Sequence, residues 1–109
     1  MTLGDKQRLF PRLVVELFLF AWSQGYEIKL DDAFRSPRAF FPYSKKNSCH
    51  KKRLALDLCL FRGGEYLTDS KSEDFKILGE FWEGLHPLCR NGRKWEDGGH
   101  FSMEHDGVK

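Results

Sequence analysis

Cysteine is scarce in this sequence: Cys49, Cys59 and Cys89 are the three in 109 residues. An odd count cannot pair completely, and none stands in a Cys-x-x-Cys pair. A disulfide framework and a thiolate zinc knuckle are therefore not expected, and reduced thiols point to synthesis in the cytoplasm. Charge of one sign is also lacking. Eighteen Lys and Arg against sixteen Asp and Glu leave a net +2, too little to imply a nucleic-acid partner. The longest apolar run, 13–22, is broken by Glu16, is too short to span a bilayer and lacks a small-residue cleavage site. No signal peptide and no stable membrane insertion are expected. Repeats, low-complexity tracts and linkers are missing too, and the length allows a single domain, 1–109, with one core.

Aromatic residues are abundant instead. Ten Phe, three Trp and three Tyr make up 15% of the chain, which lets a small core bury much area per residue. Lys45, Lys46, Lys51, Lys52 and Arg53 crowd one stretch. A solvated loop is the simplest reading of such a run; a basic rim around a site for an anionic substrate is the functional one. Nucleic-acid binding through this stretch lacks aromatics at a recognisable spacing.

The first twenty-odd residues have helical periodicity. Leu9, Leu13, Leu17 and Phe20 define an apolar stripe widened by Phe10, Val14, Phe18 and Ala21. Pro11 implies that the helix starts near it or bends there, and Gly25 is placed to end it. A short strand at 26–30 puts Tyr26, Ile28 and Leu30 on one side. Residues 31–48 have no clean period and read as an irregular functional loop. The clearest strand is 53–61, with Leu54, Leu56, Leu58 and Leu60 on one face and Ala55, Asp57, Cys59 and Phe61 on the other. Arg62-Gly63-Gly64-Glu65 then turns the chain into a hairpin with Tyr66-Leu67. A second helix is expected from about Lys71, with Ser70 and Glu73 as a capping box and Phe75, Leu78, Trp82 and Leu85 as its stripe. The remainder, 88–109, reads as irregular apart from a short strand around 100–103. These elements define an α+β fold, a small antiparallel sheet with helices packed against it.

Asp57 is the anomaly. A lone carboxylate inside an apolar strand costs several kcal/mol if it is buried without a partner. A salt bridge to a basic residue would satisfy it; so would a divalent cation. His50, just before the strand, can converge on the same point if the entering loop folds over. Asp97-Gly98-Gly99-His100 supplies a second imidazole, and its glycines allow a tight path and close approach of a substrate. Taken alone, that motif reads by default as a Gly-rich turn with an Asx contact. Two His and one carboxylate leave an open position on zinc, the pattern of a catalytic site. Asp97 is then available as a general base. His86 at a helix end and His105 in a polar, solvated tail are not expected as ligands, and Cys49 and Cys59 read as packing residues beside them.

Ser48-x-His50-x-x-x-x-Ala55-x-Asp57 together with Asp97-x-x-His100 resembles the zinc peptidases that include D-alanyl-D-alanine carboxypeptidases and dipeptidases and the phage L-alanyl-D-glutamate endolysins. The order of motifs, from Gly-Tyr through Phe-Arg-Ser to Phe-Trp-Glu and His-Phe-Ser, is similar to small single-domain lysins and covers most of the chain. The resemblance implies one zinc per chain held at the sheet by His50, Asp57 and His100, with Asp97 as catalytic base. It implies Arg35, in Asp32-Ala33-Phe34-Arg35-Ser36, as the group that polarises the substrate carbonyl, and Ser48 as support for substrate or the ligand loop. It further implies a monomeric metallopeptidase acting on the peptidoglycan stem peptide. Such a phage or prophage endolysin would be made in the cytoplasm and act on the cell wall in the periplasm after release. A D-alanyl-D-alanine carboxypeptidase and a non-catalytic zinc-containing wall-binding module are the alternatives. The chain departs from the family pattern at Arg53, where Gly is frequent, and at Asn91-Gly92-Arg93, where many relatives carry Trp-Gly-Gly. Its base is Asp, as in the endolysin branch, where dipeptidases use Glu. These departures bear on substrate preference.

Overall fold

The computed structural model describes residues 1–34 and 48–109. Helix α1 spans Leu3–Ser23 and is opened by a capping box, in which the Thr2 hydroxyl accepts from the Asp5 N–H and the Asp5 carboxylate accepts from the Thr2 N–H. That cap starts the helix well before Pro11, which sits inside it on the exposed side. Burial of Phe10, Leu17 and Ala21 along the opposite face offsets the ~3 kcal/mol that an interior proline costs. Gly25, at φ +85°, follows the last turn in the left-handed conformation that ends a helix without a side-chain clash.

Strand β1 (Glu27–Leu30) pairs antiparallel with β2 (Ala55–Arg62), which turns through Gly63 and Gly64 into β3 (Glu65–Leu67). Helix α2 covers Glu73–Leu85. It starts two residues later than a Ser70–Glu73 box requires: Ser72 is the N-cap residue, and the Ser70 hydroxyl accepts from the Gly98 N–H instead. The segment after α2 is more regular than its glycines suggest. It forms β4 (Cys89–Gly92) and β5 (Asp97–Met103), which complete a five-stranded antiparallel sheet of order β1-β2-β5-β4, with β3 also on β2. The fold is α+β, two helices packed on one small sheet.

Alternation along the strands separates two faces. Leu56 lies opposite Phe101, and Phe101 packs edge-on to Trp82 of α2 at 6.0 Å. Trp82 is fully buried, meets Phe10 of α1 at 5.7 Å, and donates its indole N–H to the Ser102 carbonyl at 3.0 Å. One aromatic side chain thus joins both helices to β5. Tyr26 is buried at the end of α1, while Leu30 is 62% exposed at the sheet edge. Burial and a hydrogen bond to Asp74 push the Tyr26 hydroxyl up to about 12. His105 is not a solvated tail residue: its Nδ1 lies 3.0 Å from Lys6 Nζ, and it bridges to Val108.

The glycines of β5 are required by packing. A Cβ on Gly98 would press into the Phe75 ring, and one on Gly99 would collide with the Leu58 carbonyl. Gly84, inside α2, has nothing near the same position. Gly99→Ala is therefore expected to destabilise the protein by about 1–3 kcal/mol. Gly84→Ala is expected to stabilise it by about 0.5–1 kcal/mol through helix propensity. Urea unfolding of the two variants checks both signs.

Candidate metal centre

On the sheet face opposite the helices, β2 and β5 set Asp57 directly across from His100. His50 reaches the same point from a 3-10 turn, Cys49–Lys52, that leads into β2. Ser48 caps this turn by accepting from the His50 N–H at 3.2 Å, and Arg53 closes it in the left-handed conformation at φ 58°. Ser48 therefore acts on the orientation of the His50 backbone. Both imidazoles are buried, at 4% and 6% exposure. Asp57 Oδ2 lies 3.2 Å from His50 Nε2, and Asp57 Oδ1 lies 3.3 Å from His100 Nδ1.

The far side of each ring decides what the near side can do. His50 Nδ1 is 2.8 Å from the Ala33 carbonyl, and His100 Nε2 is 3.1 Å from the Lys109 backbone oxygen. A carbonyl oxygen cannot donate, so each of these ring nitrogens carries the hydrogen. In a neutral imidazole the other nitrogen then presents a lone pair to the Asp57 carboxylate. Two acceptors face each other unless both rings are protonated or a cation lies between them. This is the tautomer arrangement that outer backbone acceptors enforce on metal-binding histidines.

The spacing leaves room for a shared cation. Ligand atoms of His50, Asp57 and His100 all lie within 4.8 Å of one another. The two imidazoles meet different oxygens of the Asp57 carboxylate, at 3.2 and 3.3 Å, so the carboxylate lies between the rings. Among the described residues this buried group could hold a metal ion. The nitrogen and oxygen donors are of the kind that hold a divalent metal.

The three residues line an open cleft of about 520 Å³, which Asp97, Trp95, Asp31 and Asp32 also line. Asp97 stands at the start of β5 and Trp95 in a second 3-10 turn, Arg93–Trp95. The Trp95 ring lies 5.9 Å from His100 and is 41% exposed, an apolar wall at the mouth. Asp31 and Asp32 extend the β1–β2 pairing past β1, since the Asp31 N–H donates to the Asp57 carbonyl and the Asp57 N–H to the Asp32 carbonyl. Sequence reasoning did not single out Trp95, Asp31, or the Ala33 and Lys109 backbone oxygens. Trp95, two residues before Asp97, carried a detectable signal; a backbone acceptor carries none. Arg35 lies outside the described residues, as do Lys45 and Lys46 of the basic stretch.

The two cleft carboxylates are tuned in opposite directions. Burial pushes the Asp57 carboxyl up, but with both rings protonated and no cation between them, hydrogen bonds from His100 and His50 and their charge outweigh it and hold it at about 2. Burial pushes Asp97 up, and the neighbouring Asp57 charge adds to the rise, against the opposing pull of His100 and His50.

No protein-family model matches the chain, and no curated protein matches it.

The lowered Asp57 carboxyl gives a pH dependence of definite sign. A depressed carboxylate stabilises the fold above its unfolded value of 3.8 and loses that contribution as pH falls through about 2. Metal-free protein is expected to lose on the order of 2 kcal/mol between pH 4 and 2 through this group. Asp57→Asn should lack that component. Urea unfolding of both proteins in chelator across this range measures it, and equal pH slopes would refute the pairing.

Proposed function

We propose that this protein is a zinc metallopeptidase that hydrolyses peptide bonds in the peptidoglycan stem peptide, in the manner of a phage or prophage L-alanyl-D-glutamate endolysin. The observation that carries the reading is the convergence of His50, Asp57 and His100, each imidazole tethered at its far nitrogen, beside a carboxylate whose pKa is raised. The motif order along the chain supplies the substrate class. Synthesis in the cytoplasm with action on the wall after release belongs to the same proposal.

His50 Nε2, Asp57 and His100 Nδ1 would hold the zinc. When bound, zinc supplies Lewis acidity, polarising a carbonyl and lowering the pKa of water toward about 7. Asp97 takes the proton of the attacking water and returns it to the departing amine. Its raised pKa brings it closer to the working pH, where a general base is most effective. Trp95 offers a flat apolar surface for the peptide beside His100. Ser48 keeps His50 in place, and Arg35 is assigned to the developing negative charge on the substrate oxygen.

The purified protein is expected to contain one zinc per chain and to release new amino groups from peptidoglycan, with the fragment masses naming the bond. Release of terminal D-Ala alone would identify the carboxypeptidase, and zinc without release a binding module. Asp97→Ala is expected to lower turnover by about 10²–10⁴-fold while zinc stays bound; loss of zinc would make Asp97 a ligand. His50→Ala should remove the metal and lower the melting temperature. Unchanged metal content in that variant would exclude His50 from the site.

A further inference from the structure

Both His100 and Asp97 are carried on an irregularity of the sheet. Asn91 of β4 is opposite Phe101, and the next residue, Gly92, is opposite Asp97. Gly98, Gly99 and His100 therefore have no Cα partner on β4. A bulge of this kind bends the strand and re-aims its side chains, and here it brings Asp97 and His100 to one cleft. The bulge also interrupts the ladder that would hold the backbone beneath them.

The Asn91 side chain fills that gap. It is 1% exposed on the face under α2, and its Nδ2 donates one hydrogen to the Gly98 carbonyl and one to the His100 carbonyl, both at 2.9 Å. Its Oδ1 accepts from the Arg93 N–H at 3.3 Å and from Arg93 Nη1 at 3.2 Å. Arg93 Nη2 pairs with Glu83 Oε1 of α2 at 2.8 Å, and Glu83 Oε2 accepts from the Asn91 N–H at 3.3 Å. The ring of contacts is closed, with every amide donor and acceptor of Asn91 engaged. One glycine makes room for the network and a second for the approach of β5. A Cβ on Gly79 of α2 would collide with Asn91 and Arg93, and one on Gly92 would collide with the Asp97 carbonyl.

Resting on the metallopeptidase reading, we infer that Asn91, anchored by Arg93 and Glu83, is the positioning residue that holds the bulged β5 backbone so that His100 and Asp97 address the metal and the substrate. Asn91 touches neither; it acts through the two carbonyls that bracket the Gly98–His100 bulge. The Asn91-Gly92-Arg93 sequence thereby acquires a role for each member: Asn91 staples the bulge, Gly92 allows close approach, and Arg93 ties the staple to α2.

The test is zinc affinity by competition with a chromophoric chelator, together with melting temperature with and without zinc, for wild type, Asn91→Asp and Arg93→Lys. Asn91→Asp keeps the shape but removes both donors. A purely structural residue would lower the metal-free and zinc-loaded melting temperatures alike. A positioning residue should weaken zinc binding by about tenfold or more and shrink the zinc-induced rise. Wild-type zinc affinity in a folded Asn91→Asp protein would overturn the inference while leaving the functional reading intact. Failure of the wild type itself to bind zinc would instead overturn that reading and the inference with it. Should Asn91→Asp not fold, Arg93→Lys decides: a smaller, same-direction loss of zinc affinity supports the staple, and unchanged affinity refutes it.

Discussion

Asp57 and His100 stand opposite each other across β2 and β5, and most of what distinguishes this protein depends on that register. A shift of one residue would send Asp57 into the helix-packed core and Leu56 into the cleft. The register is held from the other face, where Leu56 and Phe101 form the neighbouring pair and Phe101 rests against Trp82. Hydrophobic packing on one side of the sheet therefore decides the alignment of polar groups on the other. The half-buried carboxylate is tolerable when the two imidazoles that meet it are protonated or share a cation with it, and the imidazoles are directed by backbone oxygens on their far sides. Each layer supports the next outward, from core to strand register to ring orientation.

The cleft departs from what stability alone would favour. Asp57 and Asp97 share it, yet their surroundings treat them differently, one held low by its histidines and the other raised by burial and by the first. That difference between neighbouring carboxyls is what the proposed acid–base role of Asp97 rests on. The arrangement also concentrates negative charge, with Asp31 and Asp32 at the same cleft, which a bound divalent cation would offset. Beneath the site, Asn91, Arg93 and Glu83 form a closed network. Specificity of backbone position is the best-attested benefit of such buried networks.

Much of this was legible in the chain. The leucine alternation of β2 marked both its buried face and Asp57 as the exception, and the stripe of α2 identified Phe75, Leu78 and Trp82 as core. His50, Asp57 and His100 were readable as a set because their residue types and spacing carry the chemistry themselves. The α2 start was misread because a Ser-x-x-Glu pattern specifies a possible cap, and tertiary contact gave the Ser70 hydroxyl a different donor in Gly98. β4 was missed because Cys-Arg-Asn-Gly has little strand propensity; its pairing with β5 and its place under α2 make it a strand.

The sequence by itself determined the α+β class, the two amphipathic helices and the identity of the convergent histidines and aspartate. Those follow from local periodicity and from side-chain chemistry, which are written residue by residue. Tertiary structure alone decided which nitrogen of each imidazole faces Asp57, since that choice belongs to the Ala33 and Lys109 backbone oxygens. It also decided that Gly98 and Gly99 serve packing against Phe75 and Leu58, and that Asn91 replaces the ladder missing at the bulge. Main-chain acceptors and close backbone approaches look the same at every position of a sequence. Only the folded arrangement, by bringing distant segments within bonding distance, gives them a function.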